Sequence, residues 1–62
     1  MKRKDLIRHL LDNKCVLLRE GGKYSVFQNP VNGKEVPVTR HLELADFAAR
    51  KICKELEIPL MH

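Results

Sequence analysis

Apolar residues at the start of the chain recur at the spacing of an α-helix. The residues that set this period are Leu6, Ile7, Leu10 and Leu11. Charged and polar residues lie between them, so such a helix would have one apolar face and one polar face. Asn13 follows, and this residue type tolerates the left-handed conformation that often ends a helix. The pattern predicts a first helix over about residues 3–13.

The middle of the chain changes to the two-residue period of β-strands. A short apolar and partly β-branched run predicts a strand over residues 15–18. Alternating residues predict two further strands, over residues 24–28 and 34–38. The three runs are separated by short polar segments, which is the pattern of strands joined as hairpins.

Both of the segments between the predicted strands contain residues that are typical of turns. Gly21-Gly22 follows the first predicted strand and permits the positive φ of a tight hairpin turn. Residues 29–33 contain Asn-Pro and Asn-Gly, which are strong turn dipeptides. Pro37 has no backbone N–H to donate, so the third strand is expected at an edge of the sheet.

The helical period returns from about residue 43. One apolar stripe with a spacing of four residues comprises Leu44, Ala48, Ile52 and Leu56. We expect Phe47 to lie beside this stripe and Phe47 and Ile52 to be core residues of a second helix. Two pairs of opposite charge are spaced for contact across one helical turn: Asp46–Arg50 and Lys51–Glu55. Pro59 disfavours further helix after Ile58.

The predicted element order is α-β-β-β-α, within a single domain that spans residues 1–62. Short hairpin connections and one apolar stripe on each helix favour a three-stranded antiparallel sheet with both helices on one face. Strand alternation puts Tyr24 and Val26 on one face of the sheet and Ser25 and Phe27 on the other. The fold class is therefore predicted to be α+β.

The charge balance favours a polyanionic partner. Twelve Lys and Arg residues against eight Asp and Glu residues give a net charge of +4. Such an excess supports contact with nucleic acid.

The two cysteines, Cys15 and Cys53, are far apart and form no C-x-x-C motif. With no secretion signal and no membrane-length apolar run, we expect a cytoplasmic protein with two reduced, buried thiols. The spacing of the histidines and cysteines does not favour a zinc site. We expect no metal, no small-molecule cofactor and no membrane partner.

Two segments together resemble a known family. Residues 19–27 (Arg-Glu-Gly-Gly-Lys-Tyr-Ser-Val-Phe) put a basic residue before a Gly-Gly turn and an aromatic residue directly after it. Residues 36–41 (Val-Pro-Val-Thr-Arg-His) end a strand with a cationic pair. In order and spacing, nearly the whole chain resembles the HicA family of mRNA interferase toxins from bacterial toxin–antitoxin pairs. The resemblance implies a fold like the double-stranded RNA-binding domain, metal-independent cleavage of mRNA, and a HicB-type antitoxin as protein partner.

The resemblance singles out Tyr24, because the family pattern has its catalytic histidine at this position. A histidine can take the proton from a ribose 2′-OH near neutral pH, whereas a phenol with a reference pKa of about 10 is a poor base. Tyr24 can still donate a hydrogen bond or stack on a base. His41 is the remaining candidate base, although it is better explained as a polar residue that helps to start the second helix. His9 lies on the polar face of the first helix, where we expect it to be solvated.

The candidate RNA-binding residues form two groups. Gly21 and Gly22 can offer backbone N–H groups to a phosphate, or serve turn geometry alone. The cations expected around this turn are Arg19, Lys23 and Arg40. A second basic group, otherwise a solvated chain end, comprises Lys2, Arg3 and Lys4. Three functions remain open from these residues: an RNA-cutting toxin, a non-catalytic RNA-binding module, and a protein whose main role is to bind an antitoxin.

Overall fold

The structure is a computed structural model that describes residues 1–60. Its two helices and three strands are α1 (Arg3–Asp12), β1 (Val16–Glu20), β2 (Tyr24–Asn29), β3 (Lys34–Thr39) and α2 (Asp46–Leu56). The strands form one antiparallel sheet in the order β1-β2-β3. The predicted α-β-β-β-α order and α+β class are confirmed. The largest boundary differences are that β1 begins and ends later than expected and that α2 begins at Asp46.

The register of the sheet separates two faces. Ser25 pairs with Val38 and Phe27 pairs with Val36, and all four side chains are buried. Tyr24 and Val26 occupy the opposite face, as strand alternation predicts. β3 is an edge strand, so Pro37 removes no hydrogen bond from the interior of the sheet.

The hydrophobic core lies between one face of the sheet and the two helices. Its buried members are Leu6, Leu10, Cys15, Phe27, Val36, Val38, Ala49, Ile52, Cys53, Leu56 and Ile58. Residues from both helices share this cluster with residues of β2 and β3, so both helices cover the same face of the sheet. β1 contributes less, because all five of its residues are exposed.

The prediction for α2 was right about Ile52 and wrong about Phe47. Ile52 is buried, whereas Phe47 is 72% exposed. The buried stripe runs through Ala49, Ile52, Cys53 and Leu56. With about 100° between successive residues, Phe47 lies about 200° around the helix from Ala49, on the solvent side. Because α2 begins at Asp46, Leu44 precedes the helix and does not set its stripe.

The two ion pairs expected along α2 are also not formed. Asp46 lies 3.7 Å from the N-terminal ammonium group, which also lies 3.4 Å from Glu43. Among the ion pairs of residues 1–60, none includes Arg50 or Lys51. The outer face of α2 therefore keeps its cations unpaired.

Both helices end on a left-handed residue that is not glycine. Lys14 has φ 69° and Glu57 has φ 57°. After α1, the N–H of Cys15 donates to the carbonyl of Leu10 at 2.9 Å, which is the six-to-one bond of a Schellman motif. Asn13, expected to take the left-handed conformation, has φ −97°.

The glycine prediction also needs correction at the first hairpin. Among the glycines only Gly33, in the second hairpin, has a positive φ, at 75°. Gly21 and Gly22 do not adopt the left-handed conformation that was expected of them. At Gly21 a Cβ would instead lie close to the carbonyl oxygen of Tyr24.

The two cysteines are buried, as predicted. Burial, and secondarily the nearby Cys53, raises the pKa of the Cys15 thiol. Within residues 1–60, no helix is both long enough and apolar enough to cross a bilayer.

Candidate nucleic-acid interface

The turn between β1 and β2, residues 21–23, is here called the glycine turn. It is closed by the N–H of Gly21, which donates to the carbonyl of Tyr24 at 2.8 Å. A Cβ on Gly21 would lie 3.0 Å from that carbonyl oxygen and 3.7 Å from Cε2 of the Tyr24 ring. A side chain at position 21 would therefore press on the carbonyl that closes the turn, and its Cβ would be in ordinary van der Waals contact with the tyrosine ring.

Arg40, which follows the opposite edge strand β3, holds the glycine turn in place. Its Nη2 and Nε atoms both donate to the carbonyl of Gly21, at 2.8 and 3.2 Å. The same guanidinium pairs with the Glu20 carboxylate. A planar fork of donors suits this double contact, which a lysine could not reproduce.

The network extends from Glu20 to the first helix. Oγ of Ser25 donates to Oε1 of Glu20 at 2.7 Å, and Nη2 of Arg3 donates to that Oγ at 3.1 Å. Nε of Arg3 also donates to the carbonyl of Thr39 at 2.7 Å. The hydrogen bond from Ser25, and then that from Arg40, lower the pKa of the Glu20 carboxyl. One chain of contacts thus joins α1, β1, β2 and the end of β3 around the glycine turn. We call Arg3, Ser25, Glu20 and Arg40 the turn network.

Pairing of two distant segments brings the predicted N-terminal basic group close to the end of β3. The N–H of Arg3 donates to the carbonyl of Leu42 at 2.8 Å, and the N–H of Leu44 donates to that of Met1 at 2.8 Å. This places the start of α1 beside the segment that follows Arg40. A groove of about 610 Å³ lies there, lined by Lys2, Arg3, Lys4, Ile7, Leu42 and Glu43.

The predicted residues of the glycine turn differ in whether their backbone N–H groups are free to bind a ligand. The N–H and carbonyl of Gly21 are both engaged inside the protein, so Gly21 cannot bind a phosphate through its N–H as expected. In the described part of the chain, the N–H groups of Gly22 and Lys23 have no internal acceptor. These two amides, with the exposed Lys23 side chain, are what the turn can present to an anion.

Arg19 and His41 lie outside the turn network. Arg19 forms an exposed pair with Glu35 at 3.4 Å. His41 is exposed in the loop after β3, and no hydrogen bond within residues 1–60 joins it to Tyr24. The structure therefore does not assemble a Tyr24–His41 pair.

His9 is not simply solvated, which corrects the expectation from its helical position. Its Nε2 lies 2.6 Å from the carbonyl oxygen of Pro59. Since a carbonyl only accepts, this nitrogen carries the proton. His9 ties α1 to the segment after α2, which is a structural role.

Sequence reasoning missed Glu20 and Ser25. A polar residue at position 25, on the face of β2 that also carries Phe27, was the available signal. Buried polar groups require partners, and Ser25 is 1% exposed. A search for its partner would have led to the charged residues around the turn.

The arrangement offers a half-exposed phenol and two free amides close to the exposed Lys23 side chain. Tyr24 is 46% exposed, so part of its ring is accessible, and its carbonyl accepts the hydrogen bond from Gly21 that closes the turn. In the described residues, no three His, Cys, Asp or Glu side chains come together as metal ligands. Comparisons of the chain with protein-family models, curated proteins and solved structures found no match.

Proposed function

We propose that this protein is a HicA-like toxin that binds RNA at the glycine turn and around Tyr24. The single observation that carries the proposal is the fixed contact of Tyr24 with Gly21, braced by Arg40. It presents an aromatic ring and free amides beside basic residues. Stacking on aromatic rings and contacts to phosphate are the two general means of binding unpaired RNA.

The cleavage step would require a base near the ribose 2′-OH. In the proposed reaction this base takes the hydroxyl proton, and the 2′-oxygen attacks the adjacent phosphorus to form a 2′,3′-cyclic phosphate. The bond from phosphorus to the 5′-oxygen breaks, and that oxygen leaves with a proton from water. Nearby cations, Lys23 and Arg40, would stabilise the charge that builds on the phosphate. Tyr24 occupies the family's histidine position, and a phenol is protonated at neutral pH. We therefore expect this chain to bind RNA and to cut it poorly.

A non-catalytic RNA-binding module is the second candidate. It is favoured by the position of His41, which makes no contact with Tyr24 in the described residues. In this function Tyr24 would contribute stacking alone. The protein partner implied by the family resemblance, a HicB-type antitoxin in the cytoplasm, would cover the same surface.

The test of the toxin proposal is the Tyr24→His variant. It puts a base with a reference pKa of about 6.5 at the position in question, and general-base catalysis is typically worth about 10²–10⁴-fold in rate. Cleavage of a long single-stranded RNA by purified protein is measured with and without a chelator. We expect the parent to be nearly inert and the variant to be active under both conditions.

Tyr24→Phe is the matched control, because it keeps the ring and removes the hydroxyl. It should bind RNA like the parent and remain inert. If Tyr24→His is folded and binds RNA but does not cut it, the non-catalytic module is the correct function. If the parent itself cuts well, the base lies elsewhere, and His41→Ala identifies whether it is His41.

RNA binding itself has a separate test. Replacement of Arg19, Lys23 and Arg40 by alanine should weaken binding to RNA of any sequence and flatten its salt dependence, since each phosphate contact releases counterions. Arg19→Ala alone should have the smallest effect, because Arg19 pairs with Glu35 outside the turn network. Unchanged affinity in the triple variant would exclude the glycine turn as the binding site.

A further inference from the structure

The outer face of α2 carries an exposed aromatic ring among unpaired cations. Phe47 is 72% exposed, although a large apolar side chain on a core-packed helix is usually buried. The ring lies at one end of a groove of about 540 Å³, which Arg50, Lys51 and Lys54 also line. Nothing in the first proposed site uses these residues.

The spacing of these residues puts them on one side of the helix. Positions 47, 50, 51 and 54 follow the i, i+3, i+4, i+7 pattern of a single helix face. At a rise of 1.5 Å per residue, the row from Phe47 to Lys54 extends over about 10 Å. It is therefore an elongated strip of cations that begins with an aromatic ring. We call it the α2 strip.

The strip carries three cations, and one acidic residue is among the described residues that line the same groove. None of its three cations takes part in an ion pair within residues 1–60. This acidic residue is Glu57, whose carboxylate lies 3.5 Å from the Asn32 side-chain amide. The strip thus complements a polyanion, and its aromatic end complements a flat ring.

We infer that the α2 strip is a second contact surface for single-stranded nucleic acid, with a base stacked on Phe47 and phosphates held by Arg50, Lys51 and Lys54. The chemistry that joins a flat ring to repeated negative charge is that of a nucleotide strand. An acidic protein segment would satisfy the cations but would leave the exposed ring without a stacking partner. The inference shares RNA as ligand with the proposed function, and uses different residues.

The chain has no tryptophan, which makes a direct reporter available. Phe47→Trp places a single indole on the strip, and Val31→Trp places one at an 85% exposed position in the second hairpin as control. Each is titrated with an oligouridylate and with inorganic polyphosphate, which has the charge but no bases. We expect the oligouridylate to quench the indole at position 47 and not that at position 31, and polyphosphate to quench neither.

Affinity measurements on the otherwise native chain complete the test. Phe47→Ala should weaken RNA binding by between about 5-fold and about 100-fold, the range for loss of one stacked base, without a change in melting midpoint. Arg50→Gln and Lys54→Gln should each lower the salt slope by about 0.7, as expected for one lost contact to a single strand. Lys34→Gln, at the start of β3, is the charge-matched control and should leave the slope unchanged.

The outcomes separate this inference from the proposed function. If Tyr24→Ala weakens RNA binding and the α2 variants do not, the strip is not an RNA surface and the glycine turn remains one. If only the α2 variants weaken binding, the strip is the RNA surface and the proposed site at the turn is wrong. A parent protein that binds no RNA, or an indole at position 47 that the oligouridylate does not quench, overturns the inference.

Discussion

The two hairpin turns lie at opposite ends of β2 and are held in place by different chemistry. The first is the glycine turn, residues 21–23, fixed by the charged groups of Glu20 and Arg40, both of which are about half exposed. The second, residues 29–33, is here called the asparagine turn. It is fixed by the neutral amides of Asn29 and Asn32, which both donate to the carbonyl of Leu56, at 2.9 and 3.1 Å.

The side chain of Asn29 forms hydrogen bonds both within the asparagine turn and to the end of α2. Oδ1 of Asn29 accepts from the N–H of Val31 at 3.0 Å, and its amide satisfies an unpaired carbonyl at the end of α2. Asn29 is 6% exposed. The polar groups of this turn therefore form hydrogen bonds within the protein and stabilise the end of a helix.

The glycine turn leaves polar groups for a ligand. Its brace holds Gly21, while the amides of Gly22 and Lys23 stay free in the described chain. Charged exposed contacts contribute little stability, but they fix geometry. One end of the sheet thus uses its polar groups to stabilise the fold, whereas the other leaves two amides free for the RNA binding that we propose. Four predictions test this difference.

The largest effect is expected from Asn29→Ala in the asparagine turn. The variant removes a buried amide and leaves the turn without its side-chain acceptor, so the free energy of unfolding should fall by about 1–3 kcal/mol. Urea unfolding followed by circular dichroism measures it. Asn32→Ala is the control and should cost less, because the Asn29 amide still reaches Leu56. Equal stability of Asn29→Ala and the parent would contradict a structural role for this turn.

A glycine series compares the two turns directly. Gly33→Ala should lower the free energy of unfolding by about 1–2 kcal/mol, because a Cβ is unfavourable at its positive φ. Gly22→Ala meets no atom within 4 Å and should be neutral or stabilising by up to about 1 kcal/mol. Thermal melts of the two variants measure the difference. If Gly22→Ala lost more stability than Gly33→Ala, the glycine turn would be the more structurally demanding of the two turns.

Arg40→Ala should have a smaller effect on stability than either Asn29→Ala or Gly33→Ala. Its contacts are exposed, so the expected loss is less than about 1 kcal/mol. The change should appear instead in the amide chemical shifts of Gly21, Gly22 and Lys23, measured by NMR. Arg40→Lys keeps the charge without the two-donor fork and should shift the same amides. If neither variant moves these signals, Arg40 does not brace the turn.

The smallest effect is a pH dependence from Glu20. Its pKa is lowered in the folded protein, so ionised Glu20 favours folding. This contribution is complete above the ordinary Glu pKa of 4.5 and is lost as the pH falls through the folded value. Glu20→Gln should therefore reduce the loss of melting midpoint on acidification below pH 4.5. Glu35→Gln, in the exposed pair with Arg19, is the control and should follow the parent. If the melting midpoints of Glu20→Gln and the parent fell in parallel with pH, ionisation of Glu20 would not contribute to folding stability.

The candidate site was predicted in part from the sequence. Tyr24, Gly21 and Arg40 were chosen because of the turn, the following aromatic residue and the end of the third strand, and the structure brings these three together. Their roles inside the protein were not predictable, since they depend on which carbonyl faces Arg40. Glu20 and Ser25 were missed because their importance lies in contacts between elements, which local patterns do not record.

The sequence by itself determined the order of helices and strands, the two faces of β2 and the core positions Leu6, Leu10, Ile52 and Leu56, because hydrophobic period and turn residues act locally. It did not determine where α2 begins, so it misplaced Phe47 by assigning it to the buried side. Only the tertiary structure decided that Arg3 reaches Ser25 across 22 positions of sequence, and that Asn29 caps α2 across 27. Such contacts arise when packing of the core brings distant segments together, and the side chains then pair according to the geometry that packing has fixed.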